Sequence, residues 1–169
     1  EGLAYQVSLT GLLNRRYLEE GLKNELERVK KSSSTLGFLM MDLDHFKHVN
    51  DAHGHPVGDE LLREAASVIH AFVRDIGVAC RYGGEEFCAI LPLVSLKKTT
   101  EIAERIRQAF EHRRFSHLGL KQTLSIGISN HPGAADSREL IDHADSALYQ
   151  AKLNGRNQVA SFTSPSLGS

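Results

Sequence analysis

Arg81-Tyr82-Gly83-Gly84-Glu85-Glu86-Phe87 separates two short apolar runs, residues 78–82 and 87–91. Paired glycines between such runs predict a β-hairpin, because a tight primed turn needs positive φ and glycine adopts it without steric cost. Two adjacent glutamates follow the glycines. Nothing in hairpin physics asks for them. Like charges side by side repel, and a bound cation is the natural partner. The glycines also let a ligand approach the backbone closely. On the hairpin alone, a solvated turn carrying two harmless acids explains the stretch as well.

A turn centred on Gly83-Gly84 sets Cys80 opposite Phe87 and Cys88 opposite Ala79. The two sulfurs then lie on opposite faces, which argues against a disulfide and fits a reducing compartment. These are the chain's 2 cysteines among 169 residues. That length suits one domain with a proper core. An apolar content of 41% and a charged content of 24% are those of an ordinary globular protein. A net charge of -1 provides no basic field for nucleic acid. No apolar run approaches the ~20 residues of a membrane helix, and no signal peptide is visible. The first residue is Glu1 and not Met, as expected for a piece of a longer protein.

Outward from the hairpin, periodicity predicts a helix over 12–31, with Leu18, Leu22, Leu26 and Val29 on one face. Residues 37–41 form a short apolar run, the pattern of a strand buried on both faces. It ends in Asp42-Leu43-Asp44, where a sheet edge opens into a crevice. Asp44 is expected to cap a short helix over 45–50. The Gly- and His-rich stretch 50–59 reads as a loop leading into a helix that runs to about residue 74, with Pro56 and Asp59 in its first turn. Ser95 caps another helix. Residues 123–129 alternate as a half-buried strand, and Asp136 with Glu139 forms a capping box for a last helix that Gly155 ends. Lys152 sits in that helix's last turn and Arg156 just beyond it, where cations suit the helix dipole. Residues 159–162 read as an edge strand. The whole predicts one α/β domain, an α+β sandwich with a mixed, mainly antiparallel sheet flanked by helices.

If the two strand ends are neighbours, Asp42 converges with one glutamate of the hairpin. Alternation keeps Glu85 and Glu86 from sharing one site. Hard oxygen ligands suit Mg²⁺, which commonly takes one or two carboxylates plus substrate phosphates. Lys47, Lys152 and Arg156 supply cations for phosphates. Asn50 and Asp59 offer the donor and acceptors that read a nucleobase edge. The residues therefore point to metal-assisted phosphoryl or nucleotidyl transfer. His45, His48, His53 and His55 match no standard zinc spacing, and no cysteine is near them.

The hairpin stretch resembles the hallmark of the GGDEF family of diguanylate cyclases in its Gly-Gly-Glu-Glu-Phe form. So do Leu9-Thr10-Gly11-Leu12 with Asn14-Arg15-Arg16, Asp42-Leu43-Asp44-His45-Phe46-Lys47 with Asn50-Asp51, and Gly54-His55 with Gly58-Asp59. Ser125-Ile126-Gly127-Ile128 and the segment from Ala144-Asp145 to Asn157 complete a set in family order and spacing over about residues 9–160. The resemblance implies a fold similar to adenylyl cyclase and polymerase palm domains. It implies condensation of two GTP into cyclic di-GMP with release of two pyrophosphates, in a transient homodimer. Residues 9–162 would be the catalytic domain, 1–8 the end of an upstream linker, and 163–169 a disordered or artificially added tail.

By match, Asp42, the Leu43 carbonyl and Glu85 would hold Mg²⁺, with Mn²⁺ the alternative ion. Glu85 would also help deprotonate the ribose 3′-hydroxyl, and Glu86 belongs to the catalytic set at lower rank. Asn50 and Asp59 would read guanine and His55 would line the pocket. Gly83 and Gly84 would approach the substrate, while Phe46 (through its backbone), Lys47, Lys152 and Arg156 would hold phosphates. An inhibitory product site would use Arg74 and Arg105. Its usual acid is replaced by Gly77, and Val7 replaces an acid before the first motif, so weaker feedback and an altered linker are expected. The resemblance further implies a bacterial cytoplasmic domain, joined to an upstream sensor that leaves room for a membrane anchor. It implies no nucleic acid partner and no membrane contact by the domain itself. The rival reading is a catalytically silent domain that binds GTP or cyclic di-GMP as a sensor.

Overall fold

The computed structural model describes residues 9–115 and 119–163. The expectations for segment 1–8, Val7 included, and for the tail after Thr163 lie outside the described residues. The elements are α1 (Arg15–Lys31), β1 (Leu36–Leu43), α2 (Phe46–His53), α3 (His55–Val73), β2 (Val78–Arg81), β3 (Glu86–Pro92), α4 (Leu96–Glu111), β4 (Leu124–His131), α5 (Ser137–Leu153) and β5 (Val159–Ser161). They build one five-stranded sheet of order β2-β3-β1-β4-β5. Only β4 and β5 run parallel, so the sheet is mixed and mainly antiparallel, as the sequence predicts.

Helices cover both faces. On one, α2, α3 and α4 pack on Leu39, Met41, Phe87, Leu91 and Ile126. On the other, α1 and α5 pack on Phe38, Met40, Cys80, Cys88 and Ile90. β1 is the central strand and is buried along its whole length, which explains its unbroken apolar run. Among the described residues, no helix is long and apolar enough to cross a membrane.

Several local expectations are corrected. α1 starts only at Arg15, because the Asn14 side chain accepts from Tyr17 N and caps it there. β4 is buried through Ser129 on both faces, not half-buried. A Cβ on Gly127 would overlap the Ala144 carbonyl, so α5 lies directly on this strand and covers its polar-looking side. The stretch 50–59 is not a loop. α2 runs to His53 and α3 begins at His55, with Gly54 (φ 90°) as the single joint. Asp59 consequently falls in the second turn of α3, too far in to compensate its dipole.

The hairpin register also differs. Cys80 pairs with Cys88 and Arg81 with Phe87, one residue from the expected register. The cysteines are therefore cross-strand neighbours on one face, free and buried. The cause is the turn: both Tyr82 N and Gly83 N donate to Glu86 O, at 2.8 and 3.2 Å, which leaves a longer tip than a two-residue turn. Neither Gly83 nor Gly84 is in the left-handed region, so the turn is not a primed one.

Candidate active site

Antiparallel pairing of β1 with β3 places Asp42 opposite Glu86, with Glu85 at the tip. Leu43 N donates to Glu85 O at 3.3 Å and ties the tip to the end of β1. Arg81 latches the turn from below: its Nε donates to Gly83 O at 3.2 Å and its Nη2 to Gly84 O at 2.6 Å. Arg81 is thus a further residue that shapes the site. Its signal was an arginine next to a turn with several carbonyls to satisfy.

Two cavities meet at Glu85. A cavity of about 170 Å³ is lined by Asp42, Leu43, Phe46, Lys47, Glu85, Lys152 and Arg156, with Asp44 and His45. A second, of about 400 Å³, is lined by Phe46, Lys47, Asn50, His55, Asp59, Arg81, Gly84 and Glu85, with Leu62. They share Phe46, Lys47 and Glu85, so they form one continuous cleft. Gly83 and Glu86 line neither part, and a Cβ on Gly83 would come within 2.6 Å of Glu86 Oε1. Arg74 and Arg105 lie on the exposed outer surface, at the end of α3 and on α4.

The first cavity is electrostatically tense. Asp42 is 5% exposed; its Oδ1 is buried without a hydrogen-bond partner, while Oδ2 is held by Lys152 Nζ. Burial, then the neighbouring charge of Asp42, push the Glu85 carboxyl up to about 7, against the opposing pull of Lys152. Burial and Asp42 raise Glu86 as well. Two crowded carboxylates and an orphaned oxygen fit a hard divalent cation. Among the described residues no group of three or more His, Cys, Asp or Glu could hold a metal, so carbonyl and ligand oxygens would complete the shell.

The phosphate side is built from a helix end. His45 (φ 56°) turns the chain sharply into α2, and no side chain caps that helix. Its first N–H groups therefore open toward the cavity that Lys47, Lys152 and Arg156 also line. Asp44, expected to be the cap, is 4% exposed and faces inward. It accepts from Thr123 Oγ1 (2.7 Å), Ser125 Oγ (2.6 Å) and Asn157 N (3.0 Å). These bonds take up both oxygens, so Asp44 does not cap α2.

In the second part of the cleft, Asn50 Oδ1 is buried without a partner. It packs against Gly58, where any Cβ would overlap it. Asn50, with this orphaned acceptor, and Asp59 line one cavity. Guanine offers two adjacent donors, N1–H and the 2-amino group, to such a pair; adenine has no 2-amino group.

A family model described as "Diguanylate cyclase, GGDEF domain" matches residues 4–158. The response regulator PleD of Caulobacter vibrioides is 43% identical over 162 residues, covering 93% of this chain and 36% of that protein. The chain thus spans about a third of the length of this curated relative. Among solved structures, the GGDEF domain of DgcB from Caulobacter crescentus, in complex with c-di-GMP, is 31% identical with a TM-score of 0.88, over 94% of this chain and 95% of that one. The active GGEEF domain of a diguanylate cyclase from Vibrio cholerae is 34% identical with a TM-score of 0.87, over 91% of this chain and 99% of that one.

Proposed function

The chain belongs to the GGDEF family of diguanylate cyclase domains, and from that premise we propose that it condenses two GTP into cyclic di-GMP with release of two pyrophosphates. The observation that carries the reading is the shared cleft. It joins an acid pair with an orphaned oxygen, an uncapped helix end among three cations, and Asn50 with Asp59, whose acceptors would suit guanine.

Guanine would sit between Asn50 and Asp59, with His55 lining the pocket. The triphosphate would cross the α2 N-terminus, held by the Phe46 and Lys47 backbone and by Lys47, Lys152 and Arg156. The ribose 3′-oxygen of one GTP bonds to the α-phosphorus of the other, and the bond from that phosphorus to the bridging oxygen of pyrophosphate breaks. Glu85 would help take the hydroxyl proton. Asp42, the Leu43 carbonyl and Glu85 would hold Mg²⁺, or Mn²⁺ in its place. The ion would neutralise charge on the α-phosphate and on the attacking and leaving oxygens.

Each domain has one guanine pocket, whereas the product has two-fold symmetry. Two domains must therefore meet face to face, each presenting one GTP. The domain would act in a bacterial cytoplasm beneath an upstream sensor. Incubation with GTP and Mg²⁺, with chromatography of the product at several protein concentrations, tests the reading. Cyclic di-GMP is expected, with specific activity that falls on dilution. Absence of the dinucleotide, with GTP bound but intact, would favour a silent sensor.

Feedback through Arg74 and Arg105 is expected to be partial. A Cβ on Gly77 would overlap the Ile90 carbonyl, so an acid at this position does not fit the present backbone. Among the described residues, Arg74 makes a long ion pair with Asp75, at 3.9 Å. Loss of one charged hydrogen bond to the ligand costs about 1.5–3 kcal/mol, or roughly ten- to a hundredfold in affinity.

A further inference from the structure

The loop after α5 carries Arg156 in a costly conformation. Gly155 (φ 116°), Arg156 (φ 64°) and Asn157 (φ 48°) are three consecutive residues in the left-handed region. Glycine adopts it freely and asparagine tolerates it, but arginine does not favour it. Something outside the loop must hold it there.

The holding contacts converge on Asn157. Its backbone N–H donates to Asp44 Oδ2 at 3.0 Å, and Asp44 is itself anchored by Thr123 and Ser125 of the strand side. Its side-chain amide is gripped from both ends by α4. Arg107 Nη1 donates to Asn157 Oδ1 at 2.8 Å, and Asn157 Nδ2 donates to Glu111 Oε2 at 2.8 Å. The grip is braced: Arg107 also bonds Glu104 (2.6 Å) and Glu111 (2.9 Å), with its side chain only 13% exposed. On either side, Arg156 N donates to Ala151 O at 2.9 Å and Ile126 N to Gln158 O at 3.0 Å. Asn157 itself lines neither part of the cleft, whereas Arg156 lines the phosphate cavity.

We propose that Asn157, clamped between Asp44 and the Arg107–Glu111 pair, is a positioning residue for phosphate recognition, acting by holding Arg156 toward the triphosphate. The proposal rests on the phosphate role assigned to Arg156. It makes part of α4, on the far side of the loop, a determinant of nucleotide affinity. It also gives Asp44 a task distinct from that of Asp42 two residues earlier: Asp42 faces the ligand, while Asp44 fixes the loop that supplies its counter-charge. An ordinary structural bond would contribute to folding alone; this clamp acts on one ligand group.

The test measures binding, with 3′-deoxy-GTP as the probe because it lacks the attacking hydroxyl and cannot be condensed. Calorimetry with 3′-deoxy-GTP and with guanosine is run on the wild type, Asn157→Ala, Arg156→Ala and the double variant, with circular dichroism to confirm folding. Asn157→Ala is expected to weaken 3′-deoxy-GTP about tenfold and leave guanosine unchanged, and to add nothing in the Arg156→Ala background. Asn157→Gly, which accepts the left-handed backbone but has no side-chain amide, should weaken it similarly. Glu111→Ala, which removes one jaw, should do so to a smaller extent. Equal losses for both ligands, or a full additional loss in the double variant, would reduce Asn157 to a general structural role and overturn the proposal. An effect of Arg156→Ala with none of Asn157→Ala would overturn the clamp alone. No effect of Arg156→Ala on 3′-deoxy-GTP would show that the phosphate assignment is wrong, and the clamp would fall with it.

Discussion

The hairpin tip separates two hollows of opposite character. On the α1–α5 side lies a cavity of about 570 Å³ lined by Arg15, Glu19, Lys23, Arg138, Asp142 and Asp145, with Tyr82. It has as much room as the two parts of the cleft together, and Arg15 rests over the Tyr82 ring at 4.2 Å from the centroid. On the α2 side, the cleft is smaller in each part but contains the two buried polar oxygens without a partner among the described residues, on Asp42 and Asn50. Volume measures room; unsatisfied chemistry marks a site. The adjacent glutamates divide along the same line. Glu85 lines the cleft, whereas Glu86 lines neither part of it; burial and Asp42 push its carboxyl up, and Asp145 of the other hollow adds to the rise.

The sharpest test of that contrast compares the acids. Asp42→Asn and Glu85→Gln should each remove at least 99% of turnover, a loss of roughly a hundredfold or more as expected of groups that hold charge in the transition state. Glu86→Gln should lose clearly less. Chromatographic assay of cyclic di-GMP, with circular dichroism for the fold, reads all three. Equal losses for Glu85→Gln and Glu86→Gln would erase the distinction between the two sides of the tip.

Gly58→Ala should come next. The added methyl overlaps Asn50 Oδ1 and must displace the amide from the base pocket. The KM for GTP should rise about tenfold, the scale of one lost hydrogen bond to a ligand, with kcat changed far less. A drop in kcat at constant KM would place the effect elsewhere.

Titration of the acid pair offers a third handle. With Glu85 near 7, divalent-ion binding below that pH must displace a proton. Affinity for Mn²⁺ or Mg²⁺ should fall by up to about tenfold from pH 7 to pH 6 and level off above pH 8. Glu85→Gln should bind weakly at every pH, without the slope. A flat profile in the wild type would mean that Glu85 does not contact the ion.

The smallest expected effect concerns stability without divalent ions. A carboxyl whose folded pKa is raised holds a proton that the unfolded chain has already lost between about 4.5 and 7. Stability from Glu85 is therefore present below the unfolded value and lost as pH rises through the folded one. Glu85→Gln should melt about 2 °C above the wild type at pH 8 and level with it at pH 5, a small effect because solvent screens a part-exposed group. Differential scanning calorimetry at the two pH values decides it.

Strand and helix periodicity makes the sandwich legible in the sequence. β1 reads as a buried run because both its faces are covered, and the caps at Ser95 and Asp136 stand where local hydrogen bonding demands them. The convergence of Asp42 with the hairpin was likewise legible, since an acid closing an apolar strand has few structural uses. Short-range chemistry carried these readings, and it acts within a few residues of itself. Tertiary structure decided what depends on distant partners. Asp44 looks like a helix cap until Thr123, Ser125 and Asn157 close around it from positions about 80 to 113 residues away. The polar side of β4 looks solvent-facing until α5 lands on Gly127. The cysteines pair across the hairpin because the tip needs more residues than two glycines suggest. Each outcome turns on which distant group fills a hydrogen bond or covers a face, and no local pattern encodes that.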